Sequence, residues 1–271
     1  MRVGYVQTEP RFGEVESNLR RAETLMSEKE ADLWVLPELF ASGYQFISHT
    51  EVEELAESVP DGPTTQRLIT VAQKQNCHII AGIAEKKGGC VYNAAVLVGP
   101  AGLRACYRKI HLFAKEKQWF IPGNTPFPVV SIPITDSAEK SVVKVGIMIC
   151  FDHLFPEAAR TLAIHGAEII AHPANLVIPG YARLTMRVRA MENGVFTITA
   201  NRIGTEARTE KTLCFTGESQ IVSPRGEVLA CSANDIEESQ VVEIDPVLAQ
   251  DKTLTPENDL LADRRPEFYH H

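Results

Sequence analysis

The chain has 271 residues, 44% hydrophobic and 23% charged, with a formal charge of −8. Such a chain builds one large domain or two small ones around an ample core, and its surface is acidic. That balance argues against a nucleic-acid partner, whose phosphates demand a basic surface. In chain order, residues 2–7 read as a strand, 15–30 as an amphipathic helix and 32–36 as a short apolar strand running into Pro37 and Glu38. Asp61-Gly62-Pro63 marks a turn before a helix over 64–76. Strand patterns follow at 78–84, 91–98 and 103–108, the first two joined by a Gly88-Gly89 hairpin turn. Residues 110–126 read as a structured loop, and strands are expected at 127–132 and 142–149. Beyond Cys150 the pattern gives a helix at 156–165, a strand at 168–172, a helix at 182–193 and a strand at 195–200. Shorter strands are expected near 218–222, 227–231 and 239–244. No linker or low-complexity segment divides the chain, so a single domain over 1–271 is expected. The alternation makes it an α/β protein, and the hairpins make its sheets mixed.

Six cysteines are present, with no C-x-x-C pair and no His/Cys cluster at zinc spacing. No metal and no cofactor are expected. No apolar run of about 18 residues suggests a membrane span, and no secretory leader is visible. A cytoplasmic location is the expectation, where a reducing medium suits an exposed thiol. The closing His270-His271 resembles a purification-tag remnant.

Three stretches carry chemistry. VVKVGIMIC (residues 142–150) is a buried-strand pattern that ends in a thiol, followed by Phe151-Asp152 and a loop. A nucleophile at a strand-to-loop turn has an exposed side chain and free backbone N–H groups beside it. Taken alone, Cys150 reads more readily as a small apolar core residue at a strand end than as a nucleophile. LPELF (36–40) places Glu38 at the mouth of an apolar strand, and YRKIHLF (107–113) sets Lys109 among apolar residues. Each alone is an ordinary surface charge. Together with Cys150 they supply a base, a cation and a nucleophile.

These three stretches, in this order, resemble the Glu, Lys and Cys motifs of the nitrilase superfamily, the carbon–nitrogen hydrolases. The resemblance continues through FPE (155–157), HPANLV (172–177), RAMEN (189–193), ANRIG (200–204) and RRPEFY (264–269), and so covers nearly the whole chain. It implies an α-β-β-α sandwich of two sheets with helices outside. It also implies a catalytic set of Glu38 as base, Lys109, Cys150 as nucleophile and Glu116 as a second acid, with the Phe151 N–H in the oxyanion hole. Asp152 is expected to hold a structural hydrogen bond. The substrate pocket is expected to draw on Phe40, Tyr44, His153, His172 and Asn175, although Asn175 also suits a helix cap or turn. Phe113, Trp119 and Phe120 are further candidates for its walls.

The implied reaction is hydrolysis of a small amide to acid and ammonia through a cysteine thioester. Phe-Asp after the cysteine looks more like the amidase and carbamoylase branches than the Trp-Glu of nitrilases. A small aliphatic nitrile is the second reading and an N-carbamoyl amine the third. A Cys-His protease remains a rival by residue count, with no papain-like or caspase-like signature around Cys150. A noncatalytic scaffold of the same fold is the alternative of a different class, and retention of Glu38, Lys109 and Cys150 weighs against it. A homodimer, with higher assemblies built from it, is expected through the helices near 155–165 and 182–193, with the tail of about 254–269 crossing to the partner.

Overall fold

The structure is a computed structural model and describes residues 1–134 and 142–269; His270 and His271 lie outside the described residues. The elements run β1 (Arg2–Gln7), α1 (Val15–Ser27), β2 (Leu33–Val35), α2 (His49–Leu55), α3 (Pro63–Gln75), β3 (His78–Lys87), β4 (Cys90–Gly99), β5 (Gly102–Arg108) and α4 (Glu116–Trp119). The second half adds β6 (Val129–Pro133), β7 (Val142–Ile147), a 3₁₀ turn at Cys150–Leu154, α5 (Pro156–Ile164), β8 (Ile169–Pro173), α6 (Tyr181–Asn193) and β9 (Phe196–Ala200). Short strands β10 (Thr205–Glu206), β11 (Leu213–Cys214), β12 (Gln220–Val222), β13 (Val228–Cys231) and β14 (Glu238–Glu243) follow.

Two six-stranded mixed sheets form, in the orders β14-β1-β2-β3-β4-β5 and β13-β12-β9-β8-β7-β6. Each has three parallel strands at its centre, β1-β2-β3 and β7-β8-β9, flanked by antiparallel neighbours. Period-two alternation sorts the side chains into layers. Val3, Tyr5, Leu33 and Val35 of the first sheet meet Val145, Ile147, Ile169 and Ile198 of the second in the central core. Trp34, Ile79 and Val96 face the other way, under Leu19, Met26 and Leu68 of α1 and α3. Met148 and Ile170 lie under Ala159, Leu162 and Met186 of α5 and α6. The result is the expected α-β-β-α sandwich. Among the described residues no helix is long and apolar enough to cross a membrane.

Several boundaries differ from the sequence reading. The first helix stops at Ser27 instead of 30, where the apolar spacing of Leu19, Ala22, Leu25 and Met26 gives out in Glu28-Lys29-Glu30. Residues 148 and 149 leave β7 before the cysteine. Helix α2 has no counterpart in the sequence reading, although Ser48 caps it by accepting from the Glu51 N–H at 3.2 Å while Glu51 accepts from the Ile47 N–H. The 110–126 loop contains the single helical turn α4, which carries Glu116. Gly88 and Gly89, both at positive φ, close the β3–β4 hairpin as expected.

Candidate active site

Four turns converge at one edge of the sandwich, and each follows the C-terminal end of a strand. Glu38 follows β2, Lys109 follows β5, Cys150 follows β7, and Asn175 follows β8. Open α/β sheets place ligands at such ends. Three non-glycine residues here adopt positive φ: Leu39 (49°), Ala114 (46°) and Cys150 (42°). Each such conformation costs about 1–3 kcal/mol and persists only where surrounding structure enforces it.

The Glu38 turn is stitched to β3. The Gly82 N–H donates to the Pro37 carbonyl at 3.1 Å, and the Phe40 N–H to the Gly82 carbonyl at 3.3 Å. A Cβ on residue 82 would lie 2.3 Å from Glu38 Cα, so only glycine permits this approach. Lys109 is fixed from β4: its N–H donates to the Asn93 carbonyl at 2.8 Å, while the Asn93 amide donates to Glu38 Oε1 at 2.7 Å.

Glu38 and Lys109 are wholly buried and Glu116 nearly so. Lys109 Nζ donates to Glu38 Oε1 at 2.6 Å and to Glu116 Oε1 at 2.8 Å. Glu116 also accepts from the Tyr44 hydroxyl at 2.7 Å and the Phe113 N–H at 3.1 Å. An ammonium has three donors, so one N–H remains for a further acceptor. Glu38 Oε2 is buried with no hydrogen-bond partner among the described residues. Burial pushes the Glu38 carboxyl above its ordinary value, against the pull of Lys109. Burial alone would lower Lys109, but Glu116 and Glu38 more than offset it and hold the ammonium charged. The Cys150 thiol is 5% exposed, and its Sγ lies 3.7 Å from the Asn175 carbonyl. Burial first, then the Glu38 charge, push that thiol well above its usual range.

Asp152 locks the turn at Cys150. Its carboxylate accepts from the Tyr107 hydroxyl and the Ile149 N–H, both at 2.8 Å, and lies 2.7 Å from His111 Nδ1. A small cavity of about 30 Å³ opens beside Cys150, walled by Phe113, Phe151, His153, Asn175, Val177 and Ile178. Both polar atoms of the buried Asn175 side chain lack partners among the described residues. An adjoining pocket of about 150 Å³ shares Phe113 and Val177 and continues past Tyr44, Glu116 and Trp119. A larger groove of about 500 Å³, lined by Asp32 and Lys74, holds none of these residues.

Glu38, Lys109, Glu116 and Tyr44 are thus joined by hydrogen bonds, and Phe151, His153 and Asn175 line the cavity at Cys150. His153 Nδ1 lies 2.6 Å from the Thr185 hydroxyl, and burial brings its imidazole down to about 4. Phe40 is placed elsewhere: its ring packs in the core under α1 and α3, in a turn where Leu39 takes positive φ and the Phe40 N–H is tied to the Gly82 carbonyl. Phe120 packs against Phe46 instead of lining either pocket. His172 is fully buried behind Cys150, with Nε2 2.9 Å from the Cys150 carbonyl oxygen. Sequence reading overlooked Asn93, whose only signal is a polar residue inside the apolar strand VYNAAVLV (91–98).

The carbon-nitrogen hydrolase family model matches residues 2–252. The chain is 47% identical to a nitrilase of Pyrococcus abyssi, over 99% of each chain. It is 34% identical to an (R)-stereoselective amidase of a Pseudomonas species, over 98% of this chain and 92% of that one. Among solved structures, an amidase from a Nesterenkonia species superposes with a TM-score of 0.78 at 26% identity, over 98% of this chain and 94% of that one. The protein is therefore a hydrolase that belongs to the carbon-nitrogen hydrolase family, within the nitrilase superfamily.

Proposed function

We propose that the protein hydrolyses small, uncharged amides to acid and ammonia through a thioester on Cys150. The observation that carries this reading is the Glu38 carboxylate. One oxygen is held by Lys109 and Asn93, and the other is buried and unpartnered among the described residues. Such an oxygen is placed to take a proton. Because the Cys150 thiol is pushed up, it rests protonated, and a base must act as it attacks.

In the proposed sequence, Glu38 Oε2 takes the Sγ proton as sulfur bonds to the carbonyl carbon. The carbonyl electron pair moves onto oxygen, which the third Lys109 N–H and the Phe151 N–H receive. The C–N bond breaks as the tetrahedral adduct collapses, and protonated Glu38 delivers its proton to the departing nitrogen. Water then gives a proton to Glu38 and attacks the thioester. Collapse expels sulfur, which recovers the proton, and the acid leaves. Glu116 positions Lys109 and Tyr44 through its three hydrogen bonds.

The substrate is taken to be neutral because Lys109 already serves two carboxylates, which leaves the buried centre acidic. A carboxylate on the acyl group near Cys150 would meet apolar walls and that negative charge. Nitrile hydrolysis is the second reading, supported by the 47% identity to a protein named as a nitrilase. The test is ammonia release from matched neutral amides, nitriles and N-carbamoyl amines, with Cys150→Ala as the control. Release from amides above the other classes supports the reading. Release that survives Cys150→Ala, or none from any class, overturns it, and the latter favours a noncatalytic scaffold.

The six cysteines are all unpaired, which supports a reducing, cytoplasmic setting. A homodimer through α6 is proposed as well. Its outer face carries Tyr181, Leu184, Val188 and Met191, all exposed and at helical spacing, while Ala182, Met186 and Ala190 cover the sheet.

A further inference from the structure

His172 stands on β8 opposite Thr199 of β9, and neither touches the cavity. Its Nε2 lies 2.9 Å from the Cys150 carbonyl oxygen and its Nδ1 3.1 Å from Thr199 Oγ1. A carbonyl only accepts, so Nε2 carries the proton. In the neutral ring Nδ1 then accepts, and the Thr199 hydroxyl donates to it. Burial, with His153 and Lys109 adding to it, brings the imidazole down to about 3, so the ring stays neutral at ordinary pH; the Cys150 carbonyl sets its tautomer, and the Thr199 hydroxyl holds the ring from its other nitrogen.

The carbonyl that His172 holds belongs to the peptide unit whose N–H is that of Phe151. In a planar trans peptide these two groups point in opposite directions. A donor clamped on the carbonyl therefore fixes the line along which the N–H points, and polarises the amide so that this N–H donates more strongly. The clamp also holds a peptide whose preceding residue sits at a φ of 42°. We propose that His172, oriented by Thr199, is a positioning residue that aims the Phe151 N–H at the developing oxyanion. This rests on the reading above that the Phe151 N–H belongs to the oxyanion hole.

The experiment pairs two readouts on the full chain. One is kcat and KM on the best neutral amide. The other is the rate at which Cys150 reacts with methyl methanethiosulfonate, a thiol reagent with no carbonyl and no need of an oxyanion hole. His172→Ala is expected to lower kcat about 100-fold with KM little changed, the loss typical of one oxyanion donor. Its thiol reactivity is expected to stay within about twofold of wild type, since the hole is not used. His172→Gln, whose side-chain amide can donate to the same carbonyl, should recover about tenfold of the lost kcat. Near-wild-type kcat in His172→Ala overturns the proposal. So does a thiol reactivity that falls in step with kcat, which would mean that the whole Cys150 turn has been lost. If His172→Ala does not fold, Thr199→Val decides: about a fivefold loss of kcat with unchanged thiol reactivity supports the clamp, and an unchanged kcat overturns it. A wild-type protein without turnover defeats the hydrolytic reading itself, an outcome distinct from wild-type turnover that His172→Ala leaves intact.

Discussion

Glu38 Oε1 and Lys109 Nζ lie 2.6 Å apart with neither side chain exposed, and Glu116 stands 2.8 Å from the same nitrogen. One ammonium thus pairs with two buried carboxylates. Removing it strands both, and breaking a buried pair costs about 3–5 kcal/mol. Lys109→Met is expected to lose activity and to unfold at clearly lower urea. Wild-type stability in that variant would show that the two carboxylates do not depend on the lysine charge.

Glu38→Gln removes the proposed base and keeps the acceptor oxygen toward Lys109 and Asn93. It should fold and bind substrate while kcat falls by about 100-fold or more, as for loss of a general base. Circular dichroism and steady-state kinetics on one preparation check this.

The pH profile follows from the carboxyl of Glu38 and the thiol of Cys150. As the proposed base, Glu38 must be ionised, and burial raises its carboxyl above the ordinary 4.5. Activity is therefore lost as pH falls through a midpoint above 4.5, not below it. Cys150 is raised well above 9.0, so its reaction with a thiol reagent should still be climbing at that pH. A thiolate plateau near neutrality would contradict the buried, protonated resting thiol.

Gly82 is expected to be intolerant of any side chain. An added Cβ meets Glu38 Cα at 2.3 Å and Leu39 N at 2.8 Å, and both are backbone atoms of a turn already strained at Leu39. Gly82→Ala should destabilise the fold by about 1–3 kcal/mol. It should also lower kcat by displacing Glu38. Paired melting and kinetic measurements give the answer.

The α6 stripe makes the assembly testable. Leu184 is 64% exposed and Val188 41%. Leu184→Glu with Val188→Glu places two charges on that face without touching the residues that cover the sheet. Light scattering should give twice the 30.0 kDa chain mass for wild type and the single mass for the variant. A monomeric wild type would remove the proposed interface.

Much of this architecture lies on the surface of the sequence. Apolar runs such as residues 78–84 and 142–147, and the Gly88-Gly89 turn, announce strands because burial and turn chemistry are local properties. The order of the Glu38, Lys109 and Cys150 stretches announces the family. What the chain does not show locally is which side chains meet across it. The bond from Asn93 to Glu38 spans 55 positions, and the bond between His172 and the Cys150 carbonyl spans 22. Phe40, two residues beyond Glu38, reads as a pocket aromatic, yet the turn at Leu39, tied to Gly82 of β3, carries it into the outer core. His172 reads as a pocket residue, yet the pairing of β8 with β9 sets it behind Cys150. Local patterns select strands and turns, but only the packing of two sheets decides which buried polar atoms find partners and which, like Glu38 Oε2, find none among the described residues.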